Sequence, residues 1–114
     1  MIHIYGIKSC GSVQKALKFL EDRSLAYTFH DFKKTPVDQE KITFWASKVP
    51  LTTLLNTKGT TYKTLGLKAL ELDDNAKITW MSNHNLLIKR PVIEYNAQII
   101  VGFDPSYYEG ILIS

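Results

Sequence analysis

The chain has 114 residues, of which 45% are hydrophobic, a formal net charge of +3 and one cysteine. This length predicts one domain with a modest core, and a single cysteine excludes a disulfide scaffold. The lysines are interspersed with acidic residues, which favours small anions over nucleic acid as partners. No leader pattern and no apolar run near the ~20 residues of a membrane span is present, so we expect a cytoplasmic protein without membrane contact.

The first 30 residues predict a strand, a helix and a second strand. Residues 2–5 alternate in polarity before Gly6 ends the first strand, and residues 26–30 form the second. An amphipathic helix opens near Gly11 between them. Its apolar stripe consists of Val13, Ala16, Leu17 and Leu20. Two such strands in one sheet run parallel, with a right-handed crossover.

The middle of the chain predicts short helices. Thr35 and Pro36 resemble a helix start, with threonine as N-cap and proline at the first helical position. The buried face of this helix is expected to contain Ile42, Trp45, Ala46 and Val49. Pro50 ends it and begins another short helix, residues 56–66 form a loop that closes into a helix, and Asp73 caps a further one.

The C-terminal part predicts a hairpin and a last helix. Residues 92–95 and 98–101 are strands separated by two residues, a spacing that suits a tight turn, and Asp104 with Pro105 caps the helix. The whole order predicts an α/β protein with a thioredoxin-like fold. A helical insertion separates the strand, helix and strand unit from the C-terminal hairpin and helix. We expect one domain over residues 1–114.

Cys10 is the first candidate for chemistry. It lies at the junction of the first strand and the first helix, where unpaired N–H groups and the positive end of the helix dipole favour a thiolate. Lys8 adds positive charge nearby. Without such surroundings, a lone cysteine is more often a small buried hydrophobe. Since the chain has no second cysteine, a disulfide formed at Cys10 must be resolved by an external thiol.

Three segments resemble the ArsC/Spx family, and within it the YffB branch. They are residues 5–10 (YGIKSC), residues 54–62 (LLNTKGTTY) and residues 87–92 (LIKRPV), and they occur in the family's order. The resemblance implies a cis bond before Pro91, which faces the active thiol, so that Arg90 and Pro91 lie next to Cys10. It also implies the glutathione-dependent thiol reductase role proposed for the YffB branch.

The resemblance assigns roles to particular side chains. Cys10 is the nucleophile, and Arg90 holds a carboxylate or oxyanion, although an isolated arginine is more often a surface cation. Substrate contacts are predicted at Lys8, Gly11, Ser12, Asn56, Lys58 and Pro91. Asn56 and Lys58 are also ordinary solvated turn residues. We expect no bound cofactor, and we expect glutathione or another small thiol as co-substrate and partner.

Two other functions within the family stay open. Its arsenate reductases use several arginines; Arg90 matches one of them, but Asn56 stands in the place of a second and Asp104 lies near the place of a third. Spx-type regulators carry a Cys-x-x-Cys switch and bind RNA polymerase. Here Val13 occupies the second cysteine's position. The main alternative is therefore a regulatory protein that binds RNA polymerase or another partner, in which Cys10 is a sensor or a relic.

The sequence predicts no metal site. The three histidines, His3, His30 and His84, have no cysteine or carboxylate at a spacing typical of metal ligation. We therefore expect them to be structural.

Overall fold

The computed structural model describes residues 1–113, which contain four strands and six α-helices. The strands are β1 (Ile2–Gly6), β2 (Tyr27–Asp31), β3 (Val92–Tyr95) and β4 (Gln98–Val101). The helices are α1 (Gly11–Asp22), α2 (Gln39–Ala46), α3 (Leu51–Leu54), α4 (Thr60–Thr64), α5 (Asp74–Asn83) and α6 (Pro105–Leu112), with short 3-10 helices at Leu67–Leu70 and Asn85–Leu87. Within this part of the chain, no helix has the length and apolar character needed to cross a bilayer.

The chain divides into two compact units. The first contains residues 1–34 and the chain from Arg90 onward, and therefore holds the whole sheet with α1 and α6. The second contains residues 35–89, with α2 to α5. A single domain over the whole chain stays a prediction.

The sheet of the first unit is mixed, with the strand order β2, β1, β3, β4. β1 runs parallel to β2 and antiparallel to β3, and β3 pairs antiparallel with β4. The predicted thioredoxin-like order is confirmed. One face of the sheet packs against α1 and α6 through Ile2, Ile4, Ala16, Phe19, Leu20, Ile93, Ile100, Tyr108 and Leu112. Each large side chain buried in this way contributes about 1.5–3 kcal/mol to folding.

The hairpin between β3 and β4 forms as the spacing predicts. Its two turn residues, Asn96 and Ala97, have φ values of 49° and 62°. Positive φ at both central positions is the type I′ geometry, whose twist matches that of the flanking strands. Asp104 then caps α6, since its carboxylate accepts a hydrogen bond from the Tyr107 N–H at 3.2 Å.

The start of α2 differs from the prediction. Its N-cap is Asp38, which accepts a hydrogen bond from the Lys41 N–H at 2.9 Å; the predicted start at Thr35 and Pro36 is wrong. The physical reason lies at Val37, whose N–H donates to the side-chain oxygen of Asn85 at 2.7 Å. Because the backbone at Val37 is engaged in this contact, the helix begins only after it. The predicted cap of α5 at Asp73 is confirmed.

Asn85 is a buried polar residue that ties the second unit together. Besides accepting from Val37, its amide donates to the carbonyl oxygens of Val37 at 3.2 Å and Met81 at 2.9 Å. Asn85→Ala is therefore expected to lower the free energy of unfolding by about 2 kcal/mol, because the buried Val37 N–H loses its partner. Urea denaturation measures this change.

The matched control for that prediction is Asn83→Ala, which alters an exposed residue at the end of α5. Its effect should stay within about 0.5 kcal/mol. Equal midpoints for the two variants would show that the Asn85 hydrogen bonds contribute little.

Candidate functional site

Cys10 ends a tight turn between β1 and α1. Its N–H donates to the Ile7 carbonyl at 3.2 Å, and its own carbonyl accepts from the Gln14 N–H at 3.0 Å. The Gln14 side chain also donates to the Lys8 carbonyl at 2.9 Å, a contact that no pattern in the sequence predicts. Gly6 allows this close approach of strand and helix, since a Cβ there would lie 2.6 Å from a methyl carbon of Val13. The turn thus fixes Cys10 as the N-cap residue of α1.

The surroundings of Cys10 favour its thiolate. The sulfur makes no capping hydrogen bond of ordinary geometry, but the first-turn N–H groups lie close enough to stabilise a negative charge. Burial opposes ionisation. It is outweighed by the nearby Val13 N–H, the Arg90 side chain and the Ser12 N–H, which stabilise the negative sulfur, and by the charge of Arg90, so that the pKa of Cys10 is lowered. Lys8, by contrast, is exposed.

Arg90 reaches Cys10 because β3 pairs directly with β1. Val92 is the register partner of Tyr5, which places the start of β3 at the end of β1 that leads to Cys10. The bond between Arg90 and Pro91 is cis, as the resemblance implied. Pro91 is buried, and its carbonyl accepts from the Gly102 N–H at 2.8 Å. Arg90 and Cys10 therefore lie next to each other in the first unit, as predicted.

The remaining predicted contacts fall into two groups. Gly11 and Ser12 lie in the exposed first turn of α1, and a Cβ at Gly11 would meet nothing within 4 Å. Asn56 and Lys58 belong to the second unit. Asn56 is half-buried and its N–H donates to the Leu87 carbonyl at 2.8 Å, whereas Lys58 is exposed. A substrate role for these four residues stays a prediction.

The site assembled in the first unit is suited to thiol chemistry. A half-exposed sulfur with a lowered pKa can act as a nucleophile, and the adjacent guanidinium can hold an anion. Among residues 1–113, no three His, Cys, Asp or Glu side chains are arranged as a metal centre.

Comparison with known proteins agrees with this fold. The model of the ArsC family matches residues 5–111, which include both Cys10 and Arg90. The chain belongs to the ArsC family. Within this family, the chain resembles a solved structure named YFFB with a TM-score of 0.93 and 35% identity, covering 98% of this chain and 99% of that one.

The ArsC family relatives of this chain carry different functional names. It is 28% identical to an arsenate reductase of Neisseria meningitidis over 97% of each protein. It is 26% identical to the global transcriptional regulator Spx 2 of Bacillus anthracis, over 91% of this chain and 81% of the regulator. A glutaredoxin from Archaeoglobus fulgidus, at 11% identity and a TM-score of 0.51, shares the fold over 99% of this chain and 86% of the glutaredoxin.

Proposed function

We propose that this chain is a glutathione-dependent thiol oxidoreductase in which Cys10 is the nucleophile. The observation that carries the proposal is the contact between Cys10 and Arg90 at the start of α1, which lowers the pKa of the only thiol in the chain. The proposal includes a cytoplasmic location, where glutathione keeps most thiols reduced.

The reaction proceeds in two thiol–disulfide exchanges. The Cys10 thiolate attacks the glutathione sulfur of a mixed disulfide, the old S–S bond breaks, and the substrate leaves as a thiolate that takes a proton from water. Cys10 is then bonded to glutathione. A second glutathione, as its thiolate, attacks that bond, releases Cys10 and forms oxidised glutathione. The two electrons that reduce the substrate disulfide thus come from glutathione, and one cysteine suffices.

Arg90 and the first turn of α1 supply what this chemistry needs. The guanidinium stabilises Cys10 both as the attacking thiolate and as the leaving thiolate of the second step. The same side chain can orient a glutathione carboxylate, for which its planar donors are suited. A Cβ at Gly11 would meet nothing within 4 Å, so the first turn of α1 is open to a ligand. Lys8, Ser12 and Pro91, which belong to the same unit as Cys10, complete the proposed substrate contacts.

A regulatory role is the second candidate, and the similarity to the regulator Spx 2 favours it. In this role the chain binds RNA polymerase or another protein, and Cys10 senses oxidants. The local chemistry differs from a two-cysteine switch, since the position three residues after Cys10 holds Val13, which is fully buried. Oxidation at Cys10 would therefore need a small thiol to form a disulfide.

Mass spectrometry of the intact chain after exposure to oxidised glutathione tests the proposal. We expect one glutathione per folded chain, located on Cys10 by peptide mapping and removed by reduced glutathione. Cys10→Ser should take up none. Modification only after denaturation would contradict the proposal, and such a result together with recovery of RNA polymerase on the immobilised chain would favour the regulatory role.

A further inference from the structure

Two histidines far apart in sequence meet on the sheet of the first unit. His3 Nδ1 and His30 Nε2 lie 2.9 Å apart. The parallel register pairs His3 with Thr28 and Tyr5 with His30, so the two histidines are diagonal neighbours on adjacent strands. Because side chains alternate along a strand, they lie on the face opposite Ile4, which belongs to the core.

The surroundings hold both rings in place. The Tyr5 ring stacks on His30 with centroids 4.4 Å apart and an interplanar angle of 12°, and both histidines are half-buried. Tyr5 in turn donates to the carboxylate of Glu94 at 2.9 Å. Burial, followed by this hydrogen bond, raises the pKa of Tyr5, so Tyr5 stays a neutral donor. Glu94, the register partner of His3, brings a negative charge to the same face.

The distance between the two ring nitrogens suits metal ligation as well as a hydrogen bond. A shared N–H accounts for 2.9 Å between neutral imidazoles. With metal–nitrogen bonds of about 2.0 Å, nitrogens at this separation subtend an angle of about 90° at the metal. That is the angle between neighbouring ligands in square-planar and octahedral complexes, and it is narrower than the tetrahedral angle that Zn²⁺ adopts.

We propose that His3 and His30 form a binding site for a divalent transition-metal ion of the Cu²⁺ or Ni²⁺ type. The ion lies to one side of the line between the two nitrogens and its binding displaces the proton that they share. Water fills its other positions, and the carboxylate of Glu94 adds electrostatic attraction. Since the protein supplies two ligands, the ion is exchangeable. The sequence predicted only a structural role for the two histidines. It could not predict this site, because the register that brings His3 and His30 together is not evident from the sequence.

Calorimetric titration with NiCl₂ tests the site, using the full chain in the Cys10→Ser background so that the thiol neither binds nor reacts. We expect one Ni²⁺ per chain. His30→Gln should weaken binding at least about tenfold. Loss of a residue that only hydrogen-bonds to a metal ligand already lowers metal affinity by about that factor, and loss of the ligand itself should cost no less. His30→Gln is the decisive variant because it removes one of the two proposed ligands and leaves His3 in place. His84→Gln, which alters an exposed histidine of the second unit, should bind as before.

Paramagnetic broadening of NMR signals gives a second readout. It is measured without substituting either histidine and therefore does not require that the His30→Gln variant folds. Substoichiometric Cu²⁺ should broaden the ring signals of His3 and His30 before those of His84. Equal Ni²⁺ affinity of folded His30→Gln, or broadening of His84 first, would overturn the proposal. Neither result bears on Cys10, so the proposed oxidoreductase function is tested separately.

Discussion

Replacing Cys10 with serine is expected to abolish turnover of a glutathione mixed disulfide. A serine hydroxyl can neither form nor release a disulfide bond, and the chain holds no other cysteine that could take over. The rate should fall to that of the uncatalysed exchange with glutathione. Oxidised glutathione, quantified with glutathione reductase and NADPH, measures it. Ser9→Ala, an exposed change in the same turn, should retain the wild-type rate.

Turnover of arsenate and of the mixed disulfide, measured with one preparation of the protein, distinguishes this activity from arsenate reduction. Arsenate is a compact, multiply charged anion that needs several charge-assisted donors to offset its desolvation. Arg90 is the one arginine shown beside Cys10, and Asp104 is occupied as the cap of α6. We therefore expect turnover of the mixed disulfide and little turnover of arsenate. Efficient arsenate reduction that disappears in Cys10→Ser would show that the oxyanion is the substrate.

Much of the fold follows from local sequence signals. The hairpin comes from two residues between two apolar runs, and the caps at Asp73 and Asp104 come from side chains that accept from N–H groups of the first turn. The predicted start of α2 at Thr35 was wrong because the competing contact is made by Asn85, 48 residues after Val37. No local pattern in the sequence indicates such a contact.

The candidate site also has features that local sequence predicts and features that it does not. The position of Cys10 before a helix follows from the sequence around Gly6 and Gly11, and so does the expectation of a favoured thiolate. The contact with Arg90 does not, since 80 positions separate the residues; it came from the resemblance to the ArsC/Spx family. The pairing of His3 with His30 was missed for the same reason, because it depends on strand register and not on spacing.

Arg90→Lys is expected to raise the pKa of Cys10 towards its ordinary value. The guanidinium lowers this pKa by a hydrogen bond and by its charge; lysine retains the charge but loses the planar set of donors. A raised pKa leaves a smaller fraction of thiolate at neutral pH. For each unit by which the pKa rises, the reaction rate well below the pKa falls about tenfold. Above both pKa values, the two proteins should react equally fast.

The rate of alkylation by iodoacetamide, followed from pH 5 to pH 10, measures the shift. The wild-type midpoint should lie below the ~8.5 of a free cysteine, the Arg90→Lys midpoint above the wild-type one, and the Arg90→Gln midpoint higher still, because both the charge and the fork of donors are lost. Lys8→Gln is the matched control. Lys8 is exposed and close in sequence to Cys10, and its removal should leave the midpoint unchanged.

These profiles separate a role in the site from a role in the fold. If Arg90 acts on the thiol, the midpoint shifts while the melting temperature of Arg90→Lys changes little. A variant that melts several degrees lower with an unchanged midpoint would make Arg90 a structural residue and would remove the basis of the proposed carboxylate contact. A shift in Lys8→Gln as large as that in Arg90→Lys would instead show that positive charge around the turn, and not the contact with Arg90, controls the ionisation of Cys10.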